Sequence, residues 1–107
     1  MLLGRNAEAL PALRESVRLN PKLDKARLNL AAALLMTGNY REAVPIFEQE
    51  RNRAPERGDI RFNLGLGYLG MGNVAAAQAE VVALQRLSPD LAVNLSREIS
   101  KATGAAR

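Results

Sequence analysis

An all-α array of antiparallel helix pairs is the fold this sequence predicts, and three observations predict it. Pro21, Pro55 and Pro89 stand 34 residues apart, and Ala9, Ala43 and Ala77, then Gly4, Gly38 and Gly72, keep that interval with no insertion. Between these landmarks apolar residues fall at helical spacing, as in Leu30, Ala31 and Leu34. Aromatics make up only 4% of the chain and Trp is absent, so the core must be built from Leu, Ala, Val and Ile, which suit closely packed helices.

Met1 to Leu3 fall where a helix should end ahead of Gly4, so the chain is expected to open on a helical stub and to continue in a second helix carrying Ala9 and Leu13. Either it is excised from a longer protein or it begins with half a repeat. The next helix should span about Lys25 to Thr37, with Leu30, Ala31 and Leu34 buried. Gly38-Asn39 stops it, because Gly takes the left-handed conformation at low steric cost and Asn tolerates it. A partner helix follows from Tyr40 or Arg41 to Arg53, with Ala43, Ile46 and Phe47 facing inward. Small Ala43 lets the two helices approach, and Phe47 fills the space beside it. Pro55 then fixes the turn, lacking an N–H and biasing the residue before it away from helical geometry.

The unit from Gly58 to Leu91 repeats the plan with Leu64, Gly65 and Tyr68, then Gly72-Asn73, then Ala77 and Val81, then Pro89. Pro11 and Pro45 should lie near enough to their helix starts to cost little backbone bonding. Gly65 should allow close helix packing, while Gly67 and Gly70 should cost about 1 kcal/mol each relative to Ala, making their helix the softer one. A last helix, about Asp90 to Ala102, places Leu91, Leu95, Ile99 and Ala102 on one side and Asn94, Arg97, Glu98 and Lys101 on the other. Such a helix shields the final apolar face of a stack. Residues 1–103 thus read as one domain: a partial repeat at 1–23, repeats at 24–57 and 58–91, a capping helix at 90–103 and a flexible tail at 104–107.

A 34-residue helix-turn-helix unit with these landmarks resembles the tetratricopeptide repeat, over nearly nine-tenths of the chain. The resemblance implies a right-handed superhelical array with a C-terminal capping helix, and a protein–protein interaction module that holds a partner's peptide or helix in a concave groove lined by the first helices. Carried over position by position, that groove comprises Lys25, Leu28, Asn29, Ala32, Leu35 and Met36, then Asp59, Phe62, Asn63, Leu66 and Leu69. Its Met, Phe and Leu lining favours an apolar helix or strand. Relatives that hold a terminal carboxylate place Lys and Asn where this chain has Leu28 and Ala32, so that clamp is not supported; Asn29 and Asn63 remain able to bond an extended backbone. Arg27 and Arg61 replace the family's early aromatic, and Ser16, Glu50 and Leu84 occupy a position usually small. Glu50 at a buried position calls for a partner such as Arg27.

Composition narrows the function. With neither Cys nor His, thiolate and imidazole metal sites and the Cys-His and Ser-His nucleophile pairs are unavailable, so no catalysis, cofactor or metal is expected. The string Gly65 to Gly70 matches GxGxxG, but it lies inside a helical register, where a dinucleotide fold would need a strand before it. The net charge is +4, yet Glu50 to Arg61 alternates in sign and only Arg14 to Arg27 shows a modest basic excess, which argues against nucleic acid. The longest apolar run, Leu30 to Met36, is far short of the ~18 residues of a membrane span, and no secretory leader stands at the start. The expected location is the cytoplasm of a bacterium, whose genes favour Ala and Arg over Lys. Two further readings stay open: a regulatory or substrate-docking domain of a larger enzyme or of a secretion or assembly protein, and a self-associating module, a homodimer or helix exchange through Ala9 and Leu13.

Overall fold

Six helices joined by short turns make up the described chain: α1 (Leu2–Leu19), α2 (Asp24–Met36), α3 (Tyr40–Arg53), α4 (Gly58–Gly70), α5 (Val74–Leu87) and α6 (Pro89–Thr103). The structure, a computed structural model, describes the backbone of residues 2–104 and the side chains of residues 7–104. Each helix packs on the next, and α2 also touches α4 while α4 touches α6. Among the described residues the backbones of α1, α3 and α5 stay apart. Ion pairs bridge them instead, Arg14 with Glu42 from α1 to α3, and Arg51 Nη1 with Glu80 Oε2 at 3.0 Å from α3 to α5. One layer is therefore tight and the other splayed, which curves the array and puts α2, α4 and α6 on its inner side.

The Gly-Asn stops act as the sequence predicts. Gly38 and Gly72 both have φ of +81°. Asn39 N–H donates to the Leu34 carbonyl at 2.8 Å and Gly38 N–H to that of Leu35 at 3.1 Å, and Asn73 and Gly72 repeat the pair on Tyr68 and Leu69 at 2.8 and 3.0 Å. This doubly bonded ending satisfies carbonyls the helix leaves open, and it needs a left-handed residue in the middle.

The core runs through Leu30, Leu34, Phe47, Leu64, Leu84 and Leu95. The glycines of α4 are packing positions, as expected for Gly65, whereas for Gly67 and Gly70 this corrects the expectation of a merely soft helix. A Cβ on Gly65 would lie 2.4 Å from Leu95 Cδ2, one on Gly67 2.7 Å from Val44 Cγ2, and one on Gly70 2.5 Å from the Tyr40 ring. These absent methyls let α3 and α6 close on α4. Gly67→Ala should therefore destabilise by about 1 to 3 kcal/mol, because Val44 is buried and stiff at χ1. A melting temperature equal to wild type would show that Val44 gives way.

Arg27 and Arg61 are stitches. Arg27 Nε donates to Glu50 Oε2 at 2.7 Å, and its other nitrogens reach Asp24 and the Pro21 carbonyl. Arg61 Nε donates to the Pro55 carbonyl at 2.7 Å and Nη1 to Glu80 Oε1 at 2.9 Å. Each arginine thus ties the turn before its helix to the helix after it. The second unit takes its carboxylate one helical turn earlier, since Glu80 aligns with Ile46 while Leu84 aligns with Glu50. A long aliphatic stem under a paired head serves where the family places an aromatic.

Several expectations are corrected. Leu2–Leu19 is one continuous helix, so Gly4 stops nothing and Leu2-Leu3 are no separate stub; Met1 lies outside the described residues. Pro11 and Pro45 are consequently helix-interior rather than near a start. Both are exposed, where the freed carbonyls of Ala7 and Arg41 meet water. Leu13 is partly buried and packs with Leu10 and Val17 on the core. In α6 it is Ala92, Leu95 and Ile99 that are buried, while Ala102 is exposed. Gly104 caps α6 with φ of +70°, and the rest of the expected tail, residues 105–107, lies outside the described residues.

Candidate functional site

The inner layer presents two clefts side by side. Between α2 and α4 lies a cleft of about 460 Å³ that gathers Lys25, Leu28, Asn29, Ala32, Asp59 and Asn63. Its floor is apolar, made of Phe47 and Ile60, both buried. Helical spacing explains the grouping, because Lys25, Leu28, Asn29 and Ala32 share one face of α2. Arg57 Nη2 donates to Asp59 Oδ2 at 2.6 Å on the rim, and that bond holds the Asp59 carboxyl below its ordinary range.

Between α4 and α6 lies a second cleft of about 410 Å³, with Phe62 and Leu66 on one wall and Asn94, Arg97, Glu98 and Lys101 on the other. Lys101 and Glu98 pair at 3.4 Å. By repeat position Arg97 follows Asn29 and Asn63, so the three polar groups recur at the same place on the three inner helices.

The expected groove residues therefore divide. Six meet in the first cleft and two, Phe62 and Leu66, in the second. Three do not line either. Leu35 is a core residue at 8% exposure. It is drawn inward because Gly67 lacks a side chain, the position of a Cβ there lying 3.9 Å from Leu35 Cδ1. Leu69 is half-buried and packs against the core, and Met36 stands exposed at the end of α2. Sequence reasoning missed the contribution of α6, whose Asn94, Arg97, Glu98 and Lys101 were read only as the polar side of a cap. Of these only Arg97 stands at the repeat interval from groove positions, Asn29 and Asn63, and that was the available signal.

Behind the clefts a polar network braces α3, α4 and α5. Tyr68 Oη donates to Glu48 Oε2 at 2.6 Å, and burial, then the Glu48 carboxylate, raise the phenol above its usual range. Arg14 likewise holds the Glu42 carboxyl below its range through their hydrogen bond. The carboxylates bordering the clefts, Asp24, Asp59 and Glu98, are all ion-paired. The site thus offers apolar walls, amides and cations, an arrangement suited to binding. Among the described residues no cluster of acidic side chains could hold a metal ion, and no helix is long and apolar enough to cross a membrane.

Residues 1–53 match the family model described as tetratricopeptide repeat. No curated protein matches the chain.

Proposed function

This chain belongs to the tetratricopeptide repeat family, whose repeats are in general protein–protein interaction modules, and we propose that it acts as an adaptor or scaffold without catalysis of its own. The binding unit is residues 1–103, with repeats at 24–57 and 58–91 and α6 as its cap. The ligand is a peptide or helix of a partner protein, received across both inner clefts. One observation carries this reading: the α2–α4 cleft combines an apolar floor, Phe47 and Ile60, with the amides of Asn29 and Asn63 on its walls. Apolar side chains of a ligand find a pocket there, and its backbone finds donors and acceptors.

The test compares captures from source-cell lysate by wild type and by two folded variants, Leu28→Glu with Phe62→Glu, and Ala32→Arg. The first places charge on both cleft walls. The second fills the α2–α4 cleft from a half-buried position at its edge. Proteins retained by wild type and lost from both variants, with helicity unchanged by circular dichroism, are the expected result. Identical captures by all three would sink the groove reading.

A further inference from the structure

The turn between α1 and α2 carries a feature that the groove does not use. Leu19 and Leu23 are 61% and 52% exposed and flank a shallow hollow of about 550 Å³. Scattered surface leucines are ordinary, but two on one turn make a patch. This turn also sits in the most basic stretch of the chain, Arg14 to Arg27. The two carboxylates of that stretch are engaged, Glu15 with Arg18 and Asp24 with Arg27 and Arg53, while Arg14 reaches Glu42. Lys22 and Lys25, both exposed, are left without an ion pair among the described residues. At the position of Leu19 the following turns carry Arg53 and then Leu87, itself 37% exposed, so the same mixture of cation and leucine continues along this edge.

We propose that this turn docks on an anionic lipid surface, with Leu19 and Leu23 entering the headgroup boundary and Lys22 and Lys25, the cations unpaired among the described residues, facing the headgroup charges. Size decides for lipid over a protein partner. A stable protein interface buries roughly 1,200 Å² or more, beyond the reach of one five-residue turn. Interfacial anchoring needs only a few apolar side chains with cations beside them. With so few groups the attachment is weak and reversible.

Vesicle flotation tests it, using phosphatidylcholine alone or with about a third phosphatidylserine, in about 0.1 M salt, where charges act over ~10 Å. Wild type is expected to float with the anionic vesicles only. Lys22→Gln should weaken the binding about fivefold. Leu19→Ser with Leu23→Ser should abolish it while helicity is kept, since both side chains are exposed. No flotation of wild type, equal flotation on neutral vesicles, or a double serine variant that floats like wild type would each overturn the proposal. So would binding to a soluble acidic polypeptide but not to vesicles, which would assign the turn to an acidic protein.

Discussion

Phe47→Ala should lower the stability of this protein by about 3 to 5 kcal/mol, the range for emptying a large aromatic from a packed core. Phe47 is 1% exposed and lies among the buried residues of α2, α3 and α4. It is one of only two phenylalanines, in a core otherwise built mainly of Leu, Ala, Ile and Val with the aromatic ring of Tyr68. A domain of this size has roughly 5 to 15 kcal/mol in total, so the loss is a large fraction of the whole. The equivalent residue in the next unit, Val81, is only half-buried, and Val81→Ala should cost much less. Urea denaturation of both variants checks the contrast. A modest shift for Phe47→Ala would mean that α2 and α4 can collapse over the vacancy. The same substitution removes the floor of the α2–α4 cleft, so partner binding should fall even where the variant is still folded.

Arg27→Leu should cost about 3 to 5 kcal/mol, because it leaves Glu50 buried without its best partner. Glu50 is 2% exposed and would retain only Arg53 Nη1 at 3.3 Å, while the Pro21 carbonyl would lose the donor that anchors the turn. Adding Glu50→Leu should recover most of the loss, since the cost lies in the unpaired charge rather than in the shape. Leu84 stands at the Glu50 position one unit further on and Leu95 at the Arg27 position two units further on, and both are fully buried, so each position accepts a leucine. Thermal melts of the two single variants and the double form a mutant cycle, in which a coupling of about 1 to 3 kcal/mol is expected. Zero coupling would remove the stitch as an energetic unit, whatever its geometry.

The Arg27–Glu50 pair was legible in the sequence because a charge at a buried repeat position requires a counter-charge. Glu80 stands where the preceding unit has the inward-facing Ile46, so the alignment marks it too as a charge at a buried position, but only the packed helices show that Arg61 and Arg51 meet it there. The groove residues follow the same pattern. Lys25, Leu28, Asn29 and Ala32 were implied by the family resemblance, whereas the burial of Leu35 depends on how near α4 approaches.

What the sequence determined by itself was the order and ends of the helices from α2 onward. Local chemistry decides these: Gly38 and Gly72 take a backbone conformation costly for other residues, the prolines bar a helix from running on, and apolar residues recur at helical spacing. Only the tertiary structure decided how closely the helices approach. Three missing methyls on α4 set its distance from α3 and α6, and that distance divides the groove into two clefts, takes Leu35 out of it and brings α6 in. Such distances arise from side chains far apart in the chain meeting at van der Waals contact, and a periodic pattern within one segment carries no record of them.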